Sequence, residues 1–143
     1  MTDLPPLLSP RGDRAAIETG DLLMPAFDAA GLLTAVAVRA GTGEVLMVAH
    51  MNREALERTL ATRQAWYWSR SRGELWLKGA TSGQIQLVRE IRVDCDQDCL
   101  LLVVDVGGDG GCCHTGRPDC FYRRVVLPDD GGGPVRLAAS TEP

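Results

Sequence analysis

The spacing of apolar positions changes period several times along the chain, and each change marks an element. Residues 33–40 and 45–50 are apolar runs joined by Gly41-Thr42-Gly43-Glu44, which predicts a β-hairpin. A helix is predicted next, over about residues 52–63. Asn52 suits its N-cap, Glu54 the positive end of its dipole, and Met51 can staple onto Leu56. Leu56 and Leu60, four apart, supply the buried stripe. Residues 66–69 and 75–78 read as strands around the turn Arg70-Ser71-Arg72-Gly73. Ile85, Leu87, Ile91 and Val93 alternate along a further strand, and residues 100–106 form a continuous apolar run typical of a buried one. The expected class is α+β and mainly β: a single compact domain of antiparallel strands with one main helix.

Outside this body the pattern fades. Residues 1–20 hold three prolines and at most a short helical turn at 14–19, so they read as a flexible N-terminal arm. Residues 128–143 are rich in glycine and proline and read as a flexible tail, which leaves 21–127 as the domain. At 143 residues, 45% apolar and 24% charged, the chain is an ordinary globular one. No apolar run reaches the length of a membrane span, and the first residues lack the basic-then-apolar order of a leader, so a cytoplasmic protein is expected.

Charge sharpens this picture. Residues 63–92 carry six basic side chains against Glu74 and Glu90, whereas residues 94–119 carry six aspartates against Arg117 alone. A basic half could grip an anionic substrate while an acidic half holds cations. The net charge of −4 and the shortness of the basic stretch argue against a nucleic-acid partner.

Candidate chemistry clusters in the acidic half. Five cysteines in a reducing cytosol read as metal ligands rather than disulfides. Cys95 lies within Asp94-Cys95-Asp96-Gln97-Asp98-Cys99, Cys113 is followed by His114, and Cys120 comes seven residues after Cys113. If the backbone stays extended through 93–99, Asp94, Asp96 and Asp98 share one face and Cys95 and Cys99 the other. Carboxylates suit magnesium or calcium and thiolates suit zinc, so two distinct metal sites are expected. Three carboxylates that close need a counter-charge. Adjacent Cys112 and Cys113 cannot easily point at one ion. Three thiolates would leave zinc an open position, and a fourth from Cys99 or Cys112 would close the site. His114, in a glycine-rich loop among thiolates, fits a ligand or a general acid/base, while His50 at a strand end reads as structural. In the basic half, aromatic Trp68 alternates with Ser69, Arg70 and Arg72, which suit a purine face and phosphate oxygens. Lys78, Thr81 and Ser82 continue the theme in a small-residue loop whose amides could cradle phosphate.

Six segments in register resemble a known family: Leu46-Met47-Val48-Ala49-His50-Met51-Asn52, Tyr67-Trp68-Ser69-Arg70-Ser71-Arg72-Gly73-Glu74-Leu75-Trp76, Lys78-Gly79-Ala80-Thr81-Ser82-Gly83, Asp94-Cys95-Asp96-Gln97-Asp98, Cys113-His114-Thr115-Gly116 and Cys120-Phe121-Tyr122-Arg123. In this order, over about residues 22–124, they resemble phosphoribosyl-AMP cyclohydrolase of histidine biosynthesis. The resemblance implies hydrolytic opening of the adenine ring of phosphoribosyl-AMP between N1 and C6, by an intertwined cytoplasmic homodimer that needs zinc and magnesium. It implies zinc on Cys95, Cys113 and Cys120 drawn from both subunits, magnesium on Asp94, Asp96 and Asp98, and His114 as general acid/base. Trp68, Ser69, Arg70, Arg72, Lys78, Thr81 and Ser82 would then contact the substrate. Ala80, Gln84, His50, Cys99 and Cys112 depart from the family's usual residues, and none is one of the implied ligands. Two other readings compete with this one. A non-catalytic, zinc-stapled nucleotide-binding dimer would need a closed four-thiolate site. A zinc base deaminase would need the His-x-Glu and Pro-Cys-x-x-Cys signature, which is absent.

Overall fold

The computed structural model describes residues 6–113, 115–129 and 131–139. Ten elements follow one another: α1 (Arg14–Thr19), β1 (Leu33–Arg39), β2 (Val45–Met51), α2 (Arg53–Thr62), β3 (Trp66–Ser69), β4 (Glu74–Leu77), β5 (Gln86–Val93), β6 (Cys99–Val106), β7 (Arg123–Val125) and β8 (Leu137–Ala139). Nearly every periodic segment of the sequence forms the element it predicts.

The central sheet has the order β2-β1-β6-β5. β1 pairs with β2 as the expected antiparallel hairpin, and β5 pairs with β6 in the same sense. β1 and β6, however, run parallel, Thr34 opposite Cys99 and Arg39 opposite Val104. The sheet is therefore mixed, which corrects the expected arrangement of antiparallel strands at this one pairing. The cause is topological: β2, α2, β3, β4 and β5 all intervene between Arg39 and Cys99 before β6 returns to the middle of the sheet beside β1. Nothing in the local period of either strand encodes that return.

One face of the sheet carries the core. Leu33, Ala35, Ala37, Leu100, Leu102 and Val104 are buried there, as alternate residues of adjacent strands must be. Helix α2 covers part of it with Ala55 and Leu56. Its N-cap is the expected one: Asn52 Oδ1 accepts the Ala55 N–H at 2.8 Å. Met51 and Leu56, the predicted staple pair, both sit in the core.

Strand β5 departs from the alternation expected of it. A bulge between Val88 and Glu90 shifts the phase, so Gln86 and Val88 point inward while Leu87 and Val93 are exposed. A glutamine thus occupies a fully buried position where the alternation called for an apolar side chain. The small hairpin β3–β4 packs through β3 against α2 and β2. Near the two ends of the chain, Leu8 is in the core and β7 pairs with β8.

Candidate functional site

Three of the sequence's chemical segments meet at one end of the sheet. Beyond β6 the chain turns through Gly107 and Gly108. Gly108 has φ +62, and a Cβ on it would lie 2.9 Å from the Gly83 carbonyl oxygen, so the two small-residue loops touch backbone to backbone. Asp109 then caps the next turn, accepting the Gly111 N–H at 2.8 Å and the Gln84 amide at 2.7 Å. Both bonds hold its carboxyl below the usual range.

The thiol loop follows. The N–H groups of Cys112 and Cys113 both donate to the Arg117 carbonyl, and the Gly116 N–H donates to that of Cys113. This tight loop buries Cys113. Thr115 Oγ1 donates to its sulfur at 3.0 Å. Burial pushes the Cys113 thiol up, but bonds from the Thr115 hydroxyl and backbone and from the Cys120 thiol outweigh it, so the thiol lies below its ordinary value. Cys120 is pinned by its N–H to the Leu46 carbonyl at 2.8 Å. It lies at the surface, yet its thiol is partly sheltered beside Cys113. Burial, then the charge and hydrogen bond of Cys113, push it up to about 12. Two neighbouring thiols, one of them made more acidic by its hydrogen bonds, suit a soft cation.

Cys112 faces elsewhere. It is buried in the core, and its sulfur accepts from Gln86 Nε2 at 3.2 Å. Gln86 Oε1 in turn accepts the Tyr67 hydroxyl at 2.6 Å. Burial raises the Cys112 thiol. Cys112 is therefore committed to this buried chain of polar groups and supplies no fourth thiol to the Cys113–Cys120 pair. Cys112→Ala is expected to leave zinc content unchanged while lowering stability by about 1 kcal/mol, the worth of one hydrogen bond and a small buried side chain; metal analysis beside chemical denaturation checks it.

The acidic segment lies at the other end of the sheet. Residues 94–98 do not stay extended, contrary to the alternation predicted there. Gln97 has a left-handed φ of 57°, and its N–H closes a turn onto the Asp94 carbonyl. The reason is a cap: Asp94 Oδ1 accepts the N–H groups of Asp98 at 2.9 Å and Cys99 at 3.0 Å. The turn still achieves convergence, because one carboxylate oxygen from each of Asp94, Asp96 and Asp98 lies within 4.8 Å of the others. All three are exposed. Hydrogen bonds from Asp94 and Asp96 raise Asp98 to about 6. Burial pushes Asp94 up, but bonds from the Asp98 side chain and backbone and from the Cys99 N–H outweigh it, and its carboxyl lies below the usual range. Such a set of oxygens is chemically suited to a hard cation.

Cys95 sits in this same turn, and within one chain it is remote from Cys113 and Cys120. Val93 pairs with Leu100 at the turn end of the β5–β6 ladder and Gln86 with Val106 at the other, where Gln86 touches Cys112. Seven residues of strand at about 3.3 Å each separate them by roughly 23 Å. Cys99, next to the acidic turn, is equally far from the thiol loop.

The expected substrate residues flank the β3–β4 hairpin. Ser69, Arg72, Lys78, Thr81 and Ser82 line a cleft of 690 Å³ together with Trp76. Trp68 and Arg70 line a second of 500 Å³ that shares Ser69 and Trp76 and contains His50. Burial first, then the Arg70 charge, lowers the His50 pKa. Arg72 folds back, its N–H and Nε both donating to Ser69 Oγ at 3.3 Å. Lys78 is 5% exposed. Its ammonium donates to the Cys112 carbonyl at 2.6 Å and lies 5.5 Å from the Trp76 ring centre, so it ties the cleft wall to the thiol loop. His114 lies outside the described residues. Sequence reasoning missed Gln86, Gln97 and Asp109; an amide in an apolar or an acidic run, or a lone carboxylate among glycines, is the only signal they leave.

Residues 47–122 match the family model of phosphoribosyl-AMP cyclohydrolase. The chain is 64% identical to the phosphoribosyl-AMP cyclohydrolase of Brucella anthropi over 126 residues, covering 88% of this chain and 87% of that protein. It is 58% identical to the one of Chelativorans sp. over 126 residues, 88% and 89% of the two chains. With the protein of that name from Brucella abortus it shares 57% over 130 residues, 91% of each. These relatives place the chain among hydrolases that act on carbon–nitrogen bonds. It belongs to the phosphoribosyl-AMP cyclohydrolase family.

Proposed function

We propose that the protein hydrolyses the N1–C6 bond of the adenine ring of phosphoribosyl-AMP in histidine biosynthesis, as a cytoplasmic homodimer using zinc and magnesium. Family membership supports the activity. No helix among the described residues is long and apolar enough to cross a membrane, which is compatible with that location. One observation carries the rest: Cys113 and Cys120 lie near enough for each thiol to shift the other, while Cys95 is a strand length away in the same chain. A three-thiolate centre of Cys95, Cys113 and Cys120 therefore needs Cys95 from a second subunit. The outer face of the sheet offers a surface for such a partner, since Val36, Val48 and Leu101 lie side by side across three strands without full burial.

Cys113 and Cys120, with Cys95 of a second subunit, would hold zinc, which would supply a Lewis acid able to make water nucleophilic at neutral pH. The chain's own residues do the remaining work. Thr115 orients the Cys113 sulfur, and Lys78 fixes the loop that carries it. The Lys78 ammonium also offsets part of the negative charge that thiolates bring to this end of the sheet. His114, next to Cys113 in the chain, takes a proton from the attacking water and delivers one to the departing ring nitrogen. Ser69, Arg70, Arg72, Thr81 and Ser82 grip the ribose phosphates, and Trp68 offers a ring face for the purine. Asp94, Asp96 and Asp98 would hold magnesium, whose charge would suit a phosphate of the substrate.

The test is turnover of phosphoribosyl-AMP, followed through the ultraviolet change as the purine ring opens. Turnover should vanish on zinc chelation and return when zinc is added. His114→Ala should keep its zinc and lose about a hundredfold or more in kcat, the usual size of a general acid/base contribution. Full activity in that variant would remove His114 from the mechanism.

A further inference from the structure

Several hydrogen bonds of the segment before β1 converge on one residue of the acidic turn. Gln97 is 4% exposed although the carboxylates around it are not. Its Oε1 accepts the Met24 N–H at 2.7 Å, and its Nε2 donates to the carbonyls of Ile17 at 2.9 Å and Leu22 at 3.5 Å. Its own carbonyl accepts the Ala26 N–H at 2.8 Å. Beside it, Arg11 Nη1 donates to the Asp96 carbonyl at 2.8 Å and to that of Met24 at 2.9 Å. The segment is anchored upstream as well, through buried Leu8 and the bond from the Ser9 N–H to the Leu23 carbonyl.

The pattern has a physical logic. A left-handed backbone is unfavourable for glutamine and cheaper for glycine or asparagine, so a glutamine with φ 57° is held by what its side chain does. Here the amide spends both ends on backbone groups of the N-terminal segment. The joint is polar rather than close-packed: a 360 Å³ cavity remains between the two parts, lined by Ile17, Leu22, Asp94 and Cys95 among others. Three adjacent carboxylates repel one another, and binding a cation is tighter when the backbone that carries them is already fixed.

We propose that Gln97 and Arg11 are positioning residues through which the N-terminal segment sets the geometry of Asp94, Asp96 and Asp98 for a divalent cation. The segment is then a working part of the cation site. This rests on the reading of the acidic turn as that site, and the experiment separates the two.

Manganese binding to the purified protein, freed of magnesium, is titrated by the loss of the free-ion electron paramagnetic resonance signal. Wild type is compared first with Asp96→Asn. Equal binding by the two would overturn the cation reading and this inference together. Weaker binding in Asp96→Asn places the ion at the turn. Gln97→Ala and Arg11→Met are then expected to raise the manganese Kd about tenfold, the typical effect of losing a residue that orients a ligand. Arg11→Lys, which keeps a donor and a charge, should recover most of the affinity. Arg14→Ala, in the same N-terminal segment but turned to solvent, should match wild type. The kinetic counterpart is a higher magnesium activation constant in Gln97→Ala and Arg11→Met, with kcat near wild type at saturating magnesium. Unchanged Kd in both variants, or kcat depressed at every magnesium concentration without a change in Kd, would overturn the inference.

Discussion

Cys113→Ser is expected to lose zinc and turnover together, with kcat falling roughly a thousandfold or more as the metal's contribution to the nucleophile disappears. The substitution changes little else. Serine is close in size, the Thr115 hydroxyl can donate to Oγ as it does to sulfur, and the loop's backbone bonds to Arg117 do not involve the side chain. What changes is the ligand: a hydroxyl stays protonated near neutral pH and is a hard donor, whereas the Cys113 thiol lies below its ordinary value and is soft. Zinc analysis, a melting curve and the ultraviolet assay on one preparation make the decision. A folded Cys113→Ser protein that keeps zinc and works would mean that another group holds the ion. The contrast with Cys112→Ala is the sharper for the two residues being neighbours: one thiol faces Cys120, the other the Gln86 amide inside the core.

That division of labour shows where the sequence is legible. Adjacency alone says that Cys112 and Cys113 face apart, and proximity to His114 favours Cys113; the partner of Cys112 comes from Gln86, which a bulge at Val88 turns inward against the simple alternation of β5. Strands, α1 and the capped helix α2 are legible because each rests on local period and on residues such as Asn52 whose role is decided within a few positions. The parallel pairing of β1 with β6 is not, because it depends on where a strand returns after five intervening elements. The acidic segment is intermediate. Its carboxylates do converge, but through an aspartate-capped turn and a left-handed Gln97 rather than along an extended face. Lys78 reads as a phosphate ligand from residue type and loop context, and only the fold shows its ammonium spent on the Cys112 carbonyl.

The wide separation of Cys95 from Cys113 leads to the second large effect. Cys95→Ser and Cys113→Ser are each expected to be inactive as pure proteins, since every centre lacks a thiolate. Unfolded together and refolded as a mixture, they should regain activity. In a twofold dimer with each centre built from Cys95 of one subunit and Cys113 and Cys120 of the other, a mixed dimer has one centre with both lesions and one with neither. Half of a random mixture is mixed dimer and half of its centres are whole, so the recovered activity should approach about a quarter of wild type. Zinc content should rise by the same fraction. A single chain that gathered all three thiolates would give no recovery at any mixing ratio, because each chain would carry its own lesion. The roughly 23 Å between the two ends of the β5–β6 ladder argues for recovery, since no side chain spans that distance and the ladder between them is held by hydrogen bonds along its whole length.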